Sequence, residues 1–156
     1  MNLRTEVNVK PYFVEFLLYT ALALSSEAIF TGLGDVYHRW RAGLPFDRKL
    51  PCSTQLWSIA VYGLSATFAF NVITAIFPRF YRAAWWERGL VYVFGTYAFE
   101  YAWGWILEKT TGACPWRYRN SRHALLRYTK PEYFGLWFFF GFALEWVHLT
   151  ALPRLL

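Results

Sequence analysis

Three carboxylates stand where a protein chain rarely keeps charge. Glu27, Glu100 and Glu145 each fall inside an apolar run long enough to cross a lipid bilayer. An acidic side chain near the centre of such a run costs about 3 kcal/mol to insert, so these residues normally turn toward a helix bundle or water and take a partner. Two chemistries follow. Grouped in one polar pocket, the three would bind an ion, a ligand or a lipid headgroup. Taken singly, each would be protonated or bonded to a hydroxyl or amide on a neighbouring helix and would fix the packing. Asn71, with Ser58, Tyr62 and Ser65, supplies such donors on the second apolar run. His148 follows Glu145 by three residues, on the same helical face. That spacing is the one used by metal ligands in four-helix di-iron proteins, which also need a second pair and further carboxylates. The other such pair, Asp35 and His38, falls at the end of the first run rather than in its core, so neither a metal nor a cofactor is expected.

The elements that must carry these residues are membrane helices. Four runs approach the roughly 20 apolar residues a span requires: about 12–34, 54–77, 86–107 and 133–152. Pro78, Pro131 and Pro153 stand at their ends, where proline stops a helix. Tyr12, Trp57, Trp85, Trp86 and Tyr133 lie near the ends as an interfacial aromatic belt would place them. The expected fold is all-α: a polytopic membrane protein, a four-transmembrane-helix bundle forming one domain over 1–156, with both termini on the same side. The first run is read as a helix rather than a cleaved signal, because Glu15 interrupts its apolar stretch. Lys and Arg are about equally dense in the loops of the two sides, so charge assigns no orientation. Small residues beside Glu27, among them Ala23, Ser26 and Ala28, mark a face in close helix contact, and Gly141 clears space one turn before Glu145.

Composition supports the same solvent. The chain has 156 residues, of which 56% are hydrophobic, 22% aromatic and 17% charged; a soluble domain carries about a quarter charged residues, and a disordered one few aromatics. The formal charge of +6 does not point to nucleic acid, because the cations are broken up by apolar runs and sit where loops meet headgroups. A phosphate-binding loop, a nucleophile elbow and a His-Glu-x-x-His motif are all missing from the sequence, so no catalytic residue is assigned.

The third loop is long and basic, with Arg117, Arg119, Arg122, Arg127 and Lys130. A short helix from Asn120 or Ser121 to Tyr128 would lie on the membrane and set these cations against anionic headgroups, by specific recognition or by ordinary snorkelling. Cys52 and Cys114 fall in the first and third loops, on one side of a four-helix topology. There they would form one bridge in an oxidising compartment or remain two free thiols. With His38 and His123 they make a nominal zinc set that lacks compact ligand spacing. Each hairpin carries a Glu in its leading helix and a Cys in its loop, without an alignment that defines a repeat.

The segment Thr96-Tyr97-Ala98-Phe99-Glu100-Tyr101-Ala102-Trp103-Gly104-Trp105-Ile106-Leu107-Glu108, followed by Gly112-Ala113-Cys114-Pro115-Trp116-Arg117-Tyr118, resembles the transmembrane protein 229 family, which includes bacterial proteins labelled type IV ABC-transporter or CmpB-like membrane proteins. The likeness extends from the pattern around Glu27 through Leu56-Trp57 and Tyr62-Gly63 to Glu145, and Ala-Cys-Pro-Trp is its most specific part. Where the family continues with Asp-Tyr-Ser, this chain has Arg117-Tyr118-Arg119, which exchanges an acid for a base and favours an anion or headgroup contact. The resemblance implies a small multi-pass membrane protein and matching positions at Glu27, Glu100, Cys114, Pro115, Trp116 and Glu145.

The expected function is that of a non-enzymatic accessory subunit of a membrane complex, binding partner membrane proteins or lipids, anionic lipids included, through a buried carboxylate site. A small membrane enzyme acting on lipid and the membrane component of a transporter are the alternatives. Transport would require an ATPase on a separate subunit.

Overall fold

A computed structural model describes residues 10–118 and 127–156. Four α-helices carry the fold: α1 (Lys10–Arg41), α2 (Leu56–Ile76), α3 (Trp85–Thr111) and α4 (Phe134–Trp146). No strand forms among the described residues. Three helical stretches are long and apolar enough to cross a membrane, Pro11–Arg41, Leu56–Ile76 and Pro131–Arg154, and the protein is a multi-pass integral membrane protein. α3 is long enough at 27 residues but is not among the three. Within the run expected over 86–107, Glu87, Arg88 and Glu100 are charged, and Tyr92, Tyr97, Tyr101, Trp103 and Trp105 are less apolar than aliphatic residues.

Two helices outlast the apolar runs that announced them. α1 continues past Gly34 to Arg41 because its last two turns, with Tyr37 and Trp40, are amphipathic rather than polar; it stops where Gly43 takes φ 66° and Leu44 N–H reaches back to the Arg39 carbonyl. α3 continues to Thr111 and stops at Gly112, φ 77°, whose N–H bonds the Glu108 carbonyl. At its start the Glu87 carboxylate accepts from the Ala84 N–H. The fourth helix is compound. A 3-10 turn over Pro131–Tyr133 leads into α4, a π-helical stretch over Val147–Ala151 follows, and a 3-10 turn over Leu152–Arg154 ends the run. The short helix expected in the third loop falls mostly outside the described residues, as do Arg119, Arg122 and His123. Arg127 and Tyr128 form a turn rather than its last residues.

The chain divides into two compact units. In the first, 10–67, the leading half of α2 packs against α1: Thr20 donates to the Ile59 carbonyl, and Gly63 lies so close to Phe16 and Thr20 that a Cβ there would overlap both. In the second, Phe68–Leu155, α3 packs on α4 around buried Phe70, Tyr92, Val93, Phe138 and Val147. Gly89 and Gly141 permit that approach, since a Cβ at Gly89 would strike the Phe138 ring and one at Gly141 the base of the Tyr92 side chain.

Candidate functional site

Each hairpin is locked by a carboxylate on its leading helix. In the first unit the loop after α1 turns back along that helix. Ser53 N–H donates to Thr31 Oγ1 at 3.0 Å, Thr31 donates in turn to the Ser53 carbonyl, and Thr54 Oγ1 donates to Glu27 Oε2 at 2.5 Å. Two residues later α2 begins. Glu27 is therefore level with the start of the second span, and the 14 residues from Ala28 to Arg41 carry α1 about 21 Å beyond it.

The second unit repeats the device. Thr129 Oγ1 donates to Glu100 Oε2 at 2.7 Å and the Tyr118 hydroxyl to Oε1 at 3.2 Å, while Trp116 Nε1 donates to the backbone carbonyl of Glu100 at 3.2 Å. Two residues after Thr129 the Pro131–Arg154 helical run begins. The loop therefore descends again to the carboxylate, and its neck is closed where Tyr118 N–H donates to the Arg127 carbonyl. Farther along α3, Glu108 accepts from Arg117 Nη2 at 2.5 Å and from the Tyr128 hydroxyl at 2.7 Å. The hydrogen bond to Glu108 pushes the Tyr128 phenol above its ordinary pKa. Tyr128 packs flat enough against Gly104 that a Cβ there would meet its ring.

Glu145 belongs to a different cluster. Arg88 Nη1 lies 2.6 Å from Glu145 Oε1, and the Tyr92 hydroxyl donates to Oε2. Arg88 also donates to the Tyr81 carbonyl and lies over the Phe142 ring. Its Nε is buried without a partner among the described residues. Tyr92 reaches Glu145 because Gly141 leaves room for its ring.

The expected single pocket near the membrane midplane is thus not how the second unit is organised. Tyr92 and Glu100 are eight residues apart, about 12 Å along α3, and the Glu100 and Glu145 carboxylates share no partner. Glu100 faces the returning third loop and Glu145 the first turns of α3. Glu27 stands in the first unit, half-buried. His148 does not join Glu145 as a ligand pair: it stacks on Phe70 with ring centroids 5.0 Å apart, within the π-helical stretch. Asn71 stands half-buried on α2. Among the described residues no three His, Cys, Asp or Glu side chains converge as metal ligands would.

Of the loop residues, Trp116 caps the Glu100 carbonyl, Pro115 and Cys114 lead into it half-buried, and Arg117 is engaged by Glu108 rather than projecting to headgroups. Arg127 is exposed. Both cysteines are free thiols. Cys52 is exposed, whereas Cys114 is half-buried and its thiol is pushed above the ordinary pKa by burial. A maleimide therefore labels Cys52 several-fold faster than Cys114 near neutral pH, as read by mass spectrometry on Cys52→Ser and Cys114→Ser proteins; equal rates would contradict this burial.

Five partners of the three carboxylates are not identified as partners in the sequence analysis: Thr54, Arg88, Tyr92, Tyr118 and Thr129. Arg88 was detectable, being a cation inside the third apolar run. The others are ordinary Tyr and Thr residues without a distinguishing spacing. Glu15 is buried as deeply as Glu100, which its place inside the first apolar run could have suggested.

The architecture and its buried ion pair define a class: small α-helical membrane proteins with polar locks between their helices. Within that class, the chain belongs to the family described as putative ABC-transporter type IV, ABC_trans_CmpB, whose profile matches residues 47–155. The match contains the Glu100 and Glu145 clusters in full and begins after Glu27. No solved structure matches the chain.

Proposed function

We infer that this protein is a non-enzymatic membrane subunit of an ABC-type transport assembly, a single membrane domain that recruits partner membrane proteins and lipid while a separate subunit supplies ATP hydrolysis. One observation carries this reading. Both oxygens of Glu100 and both of Glu145 are taken by donors of the chain itself, so these carboxylates serve to hold shape rather than to exchange protons with a substrate. A general acid or base must instead reach its substrate within hydrogen-bond distance, which argues against the lipid-modifying enzyme. The family description supplies the transport context, and with no phosphate-binding loop in this sequence the reading assigns ATP hydrolysis to a separate subunit. The resemblance to the transmembrane protein 229 family is carried by the Ala113-Cys114-Pro115-Trp116 element, whose Trp116 completes the Glu100 lock.

The shape that matters to a partner is that of the third loop. Glu100→Gln keeps the size of the side chain but leaves one oxygen where two accepted. Trypsin then cuts at Arg117 or Arg127 several-fold faster than in the wild type, and a membrane partner captured by gentle detergent extraction is lost in proportion. An ATP-hydrolysing subunit among the captured proteins is the expected result. Unchanged folding, partner recovery and lipid content in Glu27→Gln, Glu100→Gln and Glu145→Gln alike would overturn the proposal.

A further inference from the structure

The connection between α2 and α3 carries cations with nothing to hold. Arg39, Arg88 and Arg117 are engaged by the Pro45 carbonyl, Glu145 and Glu108 respectively. Arg79 and Arg82 are exposed and neither forms an ion pair or hydrogen bond through its side chain among the described residues. Arg79 precedes and Arg82 ends a single 3-10 turn, Phe80–Arg82, closed by the Arg82 N–H on the Arg79 carbonyl at 2.9 Å. The two cations are thus three residues apart across one tight turn, within reach of a single anionic group.

Beside them lies an apolar crevice of about 490 Å³, lined by Ile76, Phe77, Pro78, Arg79, Phe80 and Ala83. Its depth in a membrane follows from α2. The 21 residues of that helix extend about 31 Å, close to the thickness of a bilayer's hydrocarbon core, so Ile76 and Phe77 stand at the hydrocarbon edge and Arg79 and Arg82 at the level of lipid phosphates. Exposed Trp85 and Trp86 follow directly, the residue type that settles at that level.

We propose that this connection is a binding site for one acidic phospholipid, with the phosphate held between Arg79 and Arg82 and an acyl chain lying in the crevice of Ile76, Phe77 and Phe80. Charge complementarity selects the occupant. A neutral lipid would leave two adjacent guanidinium groups uncompensated, and a soluble anion would leave the apolar crevice empty. Arg suits the task because its planar fork matches phosphate oxygens in pairs. The site stands apart from the carboxylate locks and does not depend on the transport reading. It is separate from the headgroup contact expected in the third loop, of whose cations Arg117 is engaged by Glu108.

Native mass spectrometry of the intact protein in mild detergent, titrated with dioleoyl phosphatidylglycerol or dioleoyl phosphatidylcholine, tests the proposal. The wild type binds one phosphatidylglycerol and releases phosphatidylcholine. Replacing both cations, Arg79→Gln with Arg82→Gln, weakens phosphatidylglycerol binding roughly 30-fold, at about one kcal/mol for each lost charge. Arg79→Lys with Arg82→Lys retains most of it. Phe77→Ser, which alters only the exposed wall of the crevice, weakens binding with no change in charge. Arg48→Gln with Lys49→Gln, an equal loss of charge in the first loop, leaves it unchanged. Equal loss in the two charge-removing proteins would reveal diffuse attraction and overturn the site. So would full binding after removal of Arg79 and Arg82, or equal affinity for phosphatidylcholine.

Discussion

Glu145→Leu lowers the unfolding free energy of the detergent-solubilised protein by about 3 kcal/mol, the scale on which a buried ion pair fails when one partner is removed. The loss comes from what is left behind. The Arg88 side chain is only 17% exposed, its Nε already lacks a partner among the described residues, and the substitution strips Nη1 of its carboxylate and the Tyr92 hydroxyl of its acceptor. Removing both ends, as in Arg88→Met with Glu145→Leu, recovers most of the loss, because an apolar pair of similar volume suits the surrounding Phe142 and Phe138. Reversible unfolding in mixed micelles, arranged as a double-mutant cycle, measures the coupling. Additive losses would mean that the two charges are screened by solvent and that the lock is nominal.

Gly141→Ala is the second large effect, a loss of about 2–3 kcal/mol from a single added methyl group. The new Cβ would overlap the Cβ and Cγ of Tyr92, atoms too close to the α3 backbone to swing aside, so the helices must separate or Tyr92 must leave its rotamer. Either response also pulls the hydroxyl from Glu145, which adds the lost hydrogen bond to the steric cost. Gly95→Ala is the control. It sits exposed on the same unit's α3 with open space around its Cβ direction, and there alanine's helix preference makes the substitution neutral or stabilising by up to about 1 kcal/mol. Thermal unfolding of the two proteins separates close packing from propensity; if both behave as Gly95→Ala, the α3 and α4 contact is looser than described. Tyr92→Ala placed beside Gly141→Ala should erase much of the penalty.

These two experiments bear on the same point, that the carboxylates act through particular neighbours. Apolar length and proline position were enough to place the helices, because a span must satisfy its own backbone and so announces itself as an uninterrupted apolar run. The ends of α1 and α3 were not legible. Asp35, Arg39, Glu108 and Lys109 terminate an apolar run without terminating a helix, since backbone hydrogen bonding persists until a left-handed residue such as Gly43 or Gly112 breaks it. The π-helical stretch after Glu145 was equally hidden, because a change in hydrogen-bond register leaves no trace in residue type.

The sequence by itself determined the solvent, the number of helices and the identity of the carboxylates, for these follow from transfer energies counted residue by residue. Tertiary structure decided their depth and their partners. Counting along a single run put Glu27 and Glu100 near mid-membrane. The returning loops set both level with the beginning of the following span, where Thr54 and Thr129 can reach them. Depth is a property of the hairpin's register, and that register depends on how far each loop folds back. Partner choice was decided in the same way: Arg88 and Glu145, 57 residues apart, meet only because Gly89 and Gly141 let two helices approach closely enough for the charges to touch.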